Sequence, residues 1–171
     1  MNGGGKHEKD GSCEWEEWLK HQAPRLLLFA RQQVRCEPDA HDLVQDAVIE
    51  AWRHMEGSPP AAGLVFKIIR QRAIDLARRE DRRLSRETAA QAGSAPEWFD
   101  PEIEDRERSR LLQEALSRLP EEQRSVVTLK VWGGLTFAEI ASALDMPANT
   151  AASRYRYALE ELRHLTNEVF V

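Results

Sequence analysis

The stretch "PANTAASRYRYAL", Pro147 to Leu159, contains no acidic residue. At helical spacing Asn149, Ser153 and Arg156 share one face, opposite Ala151, Tyr155, Ala158 and Leu162, with Arg154 on the flank. Asn, Ser and Arg are side chains that reach base edges and phosphate oxygens. A second constellation, Lys67, Arg70, Gln71 and Arg78, lies along one side of another helical stretch and suits the grip of a phosphate backbone. A third, Asp42, Gln45 and Asp46, points outward beside an apolar stripe. It would repel DNA and suits a basic partner.

All of this is recognition chemistry. Reaction chemistry is missing its usual parts: the chain has no Gly-rich phosphate loop, no metal-ligand cluster and no nucleophile paired with a base. Cys13 and Cys36 form no C-x-x-C, and His7, His21 and His41 do not stand at zinc-ligand spacing. Free thiols in a reducing cytosol, no metal, no cofactor and no enzymatic activity are expected.

These residues need elements to hold them. The first helix runs over residues 14–35, with Trp15, Trp18, Leu19, Leu26, Phe29, Ala30 and Val34 inward and Pro24 as the candidate break. The second covers Asp39 to Met55, packed by Leu43, Val44, Ala47, Val48 and Ala51. "EGSPPAAG" interrupts the chain. The third runs from Leu64 to Arg83, with Val65, Ile69, Ala73, Leu76 and Ala77 inward. Residues 88–107, rich in Ala, Gly, Ser, Pro and acid, read as a linker. A helix from Arg110 to Leu119 follows, packed by Leu111, Leu112, Ala115, Leu116 and Leu119. Pro120 then fits the first turn of a helix reaching Trp132, which Gly133-Gly134 ends. Thr136-x-x-Glu139 is a capping-box pattern that starts a short helix packed by Ile140, Ala141 and Leu144. Pro147 restarts the chain as the last helix, packed by Ala151, Tyr155, Ala158, Leu159 and Leu162. No strand pattern is present.

The expected fold is all-α: two small helical domains joined by a flexible acidic linker, the C-terminal one a helix-turn-helix. The expected boundaries are a disordered leader over 1–12, a domain over 13–86, the linker over 87–107 and a second domain over 108–171. An ordinary helical hairpin is the alternative for the C-terminal half. The short turn and a second helix that lacks acid from Pro147 through Leu159 favour the helix-turn-helix.

The formal net charge of −5 hides segregation. Residues 37–56 hold six acids against one base, residues 67–86 eight bases against three acids, and residues 87–110 seven acids against three bases. The local field therefore says more about partners than the net charge does. No apolar run approaches the ~20 residues of a membrane helix, and the N-terminus lacks the apolar stretch of a signal peptide. A cytoplasmic protein with no membrane insertion is expected.

Taken together, three strings resemble one family, the extracytoplasmic-function (ECF) group of bacterial RNA polymerase sigma factors. "DAHDLVQDAVIEAWRH" (Asp39 to His54) resembles its core-binding helix, a D-A-E-D-L-x-Q-x-x-F-x-x-x-W pattern. "LVFKIIRQRAIDLARREDRR" (Leu64 to Arg83) resembles its promoter-reading helix with an arginine tail. "LQEALSRLPEEQRSVVTLKVWGGLTFAEIASALDMPANTAASRYRYALEELR" resembles its C-terminal domain, including the LP-x-x-x-R entry.

The resemblance implies that Asp42, Gln45 and Asp46 contact core RNA polymerase. It implies that Lys67, Arg70, Gln71 and Arg78 contact the −10 element of promoter DNA, with an unstacked base held near the "EGSPPAAG" loop. It implies that Asn149, Ser153 and Arg156 read the −35 element while Arg154 grips the backbone, and that an anti-sigma factor restrains the protein. Gln71, Leu64, Ala152, Tyr157, His41 and Ile49 depart from the usual family residues, which bears on promoter sequence and melting. Two other classes compete: a stand-alone dimeric helix-turn-helix regulator, and a protein-only helical signalling module. The second leaves the clustered arginines unexplained.

Overall fold

The computed structural model describes residues 7–55, 58–84, 96–99 and 106–169, and the side chains of 13–55, 58–83, 96–99 and 106–165. Among these residues every regular element is a helix. The chain divides into two compact units, Met1–Pro96 and Glu97–Val171.

The N-terminal unit holds α1 (His7–Arg31), α2 (Glu37–His54) and α3 (Ala62–Leu84). Helix α2 is the central element because its inward stripe is small: Ala40, Leu43, Ala47 and Ala51 are buried at helical spacing. Small side chains let α1 and α3 approach closely, and both pack against α2. Their contributions are larger, with Leu26 and Phe29 from α1 and Val65, Phe66 and Ile69 from α3 almost wholly buried. The Phe29 and Phe66 rings meet edge-on at 5.5 Å, a favoured geometry for aromatic pairs.

The turn from α1 to α2 is held by charge. Arg31, almost buried, donates from Nε to both Glu37 carboxylate oxygens at 3.0 Å and from Nη2 to Oε1 at 2.7 Å. That fork holds the Glu37 carboxyl below the usual carboxylate range. At the start of α2 the Cys36 thiol donates to the Asp39 carboxylate at 2.9 Å, which raises the thiol's pKa. Cys36 and Cys13 are both free.

The C-terminal unit holds α4 (Arg106–Arg118), α5 (Glu121–Val131), α6 (Phe137–Leu144) and α7 (Ala148–Val169). Helix α7 packs on α4, α5 and α6. Leu116, Leu119, Val127 and Ala158 form one buried cluster, walled by Trp98, Phe99, Trp132, Tyr155 and Leu162.

Several expectations change. Pro24 lies inside a continuous α1; burial of Leu26, Phe29 and Ala30 just beyond it compensates for the missing hydrogen bond. Residues 7–12, expected as leader, belong to α1, and residues 1–6 lie outside the described residues. Val34 falls in the turn rather than on α1. Ala77 is exposed, as are Leu19, Leu112 and Leu159, while Phe66 and Ile68 supply core that was not expected. Pro120 caps α5 from one position outside, at φ −52° and ψ 142°, and its carbonyl accepts from the Arg124 N–H at 2.9 Å.

The largest change concerns the linker. Trp98 and Phe99 fall in the C-terminal unit: the Trp98 N–H donates to Gln113 Oε1 at 2.8 Å, Arg124 stacks over the Trp98 ring, and Phe99 meets Trp132. Residues 85–95 and 100–105 lie outside the described residues. No helix of the described residues is long and apolar enough to cross a membrane.

Candidate nucleic-acid and polymerase interface

The helix-turn-helix is assembled by local chemistry. Helix α5 ends where the N–H groups of Trp132 and Gly133 both bond the Thr128 carbonyl. A Cβ on Gly133 would stand 2.5 Å from the Leu129 carbonyl oxygen, so the chain can turn this tightly only with glycine there. Gly134 follows with φ 68°. Thr136 then caps α6: its hydroxyl accepts from the Glu139 N–H at 3.2 Å, and the Glu139 carboxylate accepts from the Thr136 N–H at 2.7 Å. The backbone N–H of Thr136, with its hydroxyl, depresses the Glu139 pKa. Helix α6 stops at Asp145 in the left-handed region, φ 55°. The Pro147 carbonyl accepts from the Thr150 and Ala151 N–H groups and opens α7. Ala151 and Ala158, fully buried, turn one face of α7 inward.

The opposite face is exposed. Asn149, Ser153 and Arg156 stand on it together, as expected. The Ser153 hydroxyl donates to the Asn149 carbonyl at 2.9 Å, which leaves its oxygen free to accept. The Arg156 guanidinium lies 5.1 Å from the ring centre of Tyr157, itself 52% exposed, in a cation–π contact. Arg154 is elsewhere. It forms an ion pair with Glu122 in the first turn of α5, and its Nη1 lies 3.5 Å from Met146 Sδ in the turn.

On α3, Lys67, Arg70 and Arg78 lie along one side with exposed Leu64 and Ile74 among them. Arg78 and Asp75 are only loosely paired, at 3.7 Å. Gln71 is exposed at the border of this face, where it also lines a groove of about 450 Å³ between α2 and α3. Asp42, Asp46 and Glu50 line the opposite wall.

Arg72 crosses that groove. It donates to Asp46 Oδ2 at 3.0 Å and to Glu50 Oε2 from Nε at 3.0 Å and from Nη2 at 2.7 Å. Of the three residues expected to face polymerase, Asp46 is thus tied to α3. Asp42 and Gln45 are exposed, Gln45 outside the groove.

Arg72, Glu50 and Glu122 were not expected at these sites. Arg72 could have been suspected, because a base between the inward positions 69 and 76 of α3 must find a partner on a neighbouring helix. Glu122 carried no such signal.

Residues 18–83 match the family Sigma-70 region 2, and residues 109–162 match Sigma-70, region 4. The ECF RNA polymerase sigma factor RpoE of Cereibacter sphaeroides is 30% identical over 151 residues, 86% of this chain and 83% of that protein. The ECF RNA polymerase sigma factor SigL of Mycobacterium tuberculosis is 32% identical over 137 residues, 77% of each chain. This chain belongs to the ECF RNA polymerase sigma factors.

Such a protein directs promoter-specific initiation of transcription. Neither the stand-alone regulator nor the protein-only module is favoured, because region 2 and region 4 occur together in one chain. Among solved structures, the sigma factor RpoE of Bartonella quintana, in complex with the anti-sigma factor NepR, superposes with TM-score 0.65 at 23% identity, over 90% of this chain and 96% of that one. CnrH, in complex with the cytosolic domain of CnrY, superposes with TM-score 0.62 at 20% identity, over 95% of each. Both likenesses concern the fold. The two family regions account for α2 with α3 and for the helix-turn-helix, the elements that carry all three candidate faces.

Proposed function

We propose that this sigma factor binds core RNA polymerase through the acidic wall of α2, with Asp42 and Gln45 as free contacts and Asp46 as a contact shared with Arg72. Lys67, Arg70 and Arg78 then hold the −10 region, with Gln71 at the edge of that face. Asn149, Ser153 and Arg156 read the −35 element in the major groove. The observation that carries this reading is the exposed face of the first turns of α7, free of acid through Leu159, behind a capped α6.

The chemistry fits a recognition protein. Arg156 can present two donors to a guanine edge, and its stacking on Tyr157 holds the guanidinium ready at reduced entropic cost. The protein works without catalysis of its own, in the cytoplasm, where polymerase and DNA are. An anti-sigma factor is the expected restraining partner, since the sigma factor RpoE of Bartonella quintana is held by one.

Reconstitution with sigma-free core polymerase tests the reading. Specific transcripts from a promoter library, lost when either the −10 or the −35 block is scrambled, are expected. Transcription that ignores the −35 block would remove α7 from the groove. Promoter binding by the chain as a dimer without polymerase would replace the reading with that of a stand-alone regulator.

A further inference from the structure

We propose that Arg154 is a positioning residue that latches the recognition helix to α5 and to the turn, and that it is not a phosphate contact. The proposal rests on α7 being the helix that reads promoter DNA, and it revises the role expected of Arg154 from the sequence.

Geometry comes first. At about 100° per residue, Asn149, Ser153 and Arg156 fall within about 60° of each other around α7. Arg154 lies about 100° from Ser153, yet within about 60° of the buried Ala151 and Ala158. It sits on the flank that meets the rest of the domain. Its side chain is 28% exposed.

The partners agree with that placement. Glu122 lies in the first turn of α5, where unpaired backbone N–H groups favour a carboxylate. Arg154 lies in the second turn of α7, near an N-terminus that disfavours a cation, so it gains from a carboxylate across the gap. Met146 ties the same guanidinium to the turn. One side chain therefore touches the start of α5, the turn and α7.

Such a latch is needed because of what packs beneath it. The wholly buried contacts of the DNA-facing half of α7 are Ala151 and Ala158. Methyl groups allow close approach, yet they resist rotation about the helix axis poorly. A rotation of a few tens of degrees would carry Arg156 away from its base edge. Tyr155, half-buried against this core and the Phe137 ring, is a bulky contact on that face, and a directional ion pair at the flank adds a restraint on rotation to it.

The test uses the full chain in holoenzyme with Glu122→Gln, Arg154→Gln and the double variant. Promoter affinity is measured as a function of salt, and amide exchange is followed in the first turns of α7 of the free chain. Each single variant is expected to weaken binding to a promoter with an intact −35 element by about two- to fivefold, the range of a partly exposed pair. The double variant should be no worse than either single. The slope of log affinity against log salt should stay unchanged. Exchange should speed by a similar factor in both single variants.

A slope reduced by about 0.9 in Arg154→Gln, with tighter binding by Glu122→Gln as the freed arginine reaches the backbone, overturns the latch. Exchange unchanged in both variants also overturns it. If wild-type holoenzyme ignores the −35 block, the promoter-reading assignment fails, and exchange in the free chain still decides whether the latch exists.

Discussion

Reversing Asp42 and Asp46 to lysine separates fold from interface on α2. Within the chain the change removes the Arg72–Asp46 pair, whose side chains are 38% and 58% exposed. A pair that open contributes under about 1 kcal/mol. Arg72 keeps its two bonds to Glu50 at 3.0 and 2.7 Å. A lysine at 46 facing Arg72 adds about 1 kcal/mol of repulsion at about 4 Å in a water-like dielectric. The N-terminal unit should therefore lose about 2 kcal/mol and stay helical.

At the polymerase interface the arithmetic differs. Removing a carboxylate buried against a basic partner costs about 2–5 kcal/mol. Two of them give at least about 4 kcal/mol, or about a thousandfold in affinity. The assay is competition of the variant against labelled wild type for core polymerase, with far-ultraviolet circular dichroism on the same preparation. Binding within tenfold of wild type at unchanged helicity would show that α2 does not face polymerase through these carboxylates.

Neutralising Lys67, Arg70 and Arg78 together should lower the slope of log promoter affinity against log salt by about 0.7–0.9 for each phosphate no longer neutralised; an unchanged slope would make that face merely solvated. Thr136→Ala removes the hydroxyl that caps α6 and should destabilise the C-terminal unit by about 1 kcal/mol in denaturant titration. Glu37 has a depressed folded pKa, so its contribution is fully present above the ordinary carboxylate value near ~4.3 and is lost as pH falls through the folded value. Glu37→Gln should therefore flatten the acid limb of the stability profile of the N-terminal unit, and an unchanged limb would mean that the Arg31 fork contributes nothing. Trp98→Ala should destabilise the C-terminal unit by about 2 kcal/mol, having removed a half-buried ring stacked under Arg124; no change would restore residues 98–99 to the linker.

What is legible in the sequence is what local rules govern. The inward stripe of α2, the Thr136–Glu139 capping box and the shared face of Asn149, Ser153 and Arg156 all follow from a period of 3.6 residues and from short-range hydrogen bonding. The pairings of Arg72 and Arg154 lie beyond those rules, because their partners Asp46 and Glu122 are remote in sequence and a long side chain can choose among several carboxylates. Trp98 and Phe99 escape for a related reason. A composition dominated by acid, Ala, Gly and Pro outweighs two adjacent aromatics, although rings of that size need a surface to cover. Pro24 reads as a break by local propensity, and tertiary burial on α1 outweighs that propensity in the fold.

The ion pairs also account for an acidic protein carrying a DNA-reading helix. Glu122 neutralises Arg154, and Asp46 with Glu50 neutralises Arg72, so two of the arginines nearest the candidate faces are engaged inside their own units. Among the described residues, the cations facing outward on the candidate DNA faces include Lys67, Arg70, Arg78, Arg82 and Arg156. Electrostatic affinity for DNA scales with the number of phosphates neutralised, so each arginine engaged inside its own unit lowers what the free chain can exert. On the proposed reading, in which α2 holds the chain on polymerase, each unit meets its promoter element at a high effective concentration, and weak contacts then suffice. If α2 faces polymerase as proposed, its acid serves twice, as the polymerase-facing wall and as a brake on DNA binding by the unassembled protein.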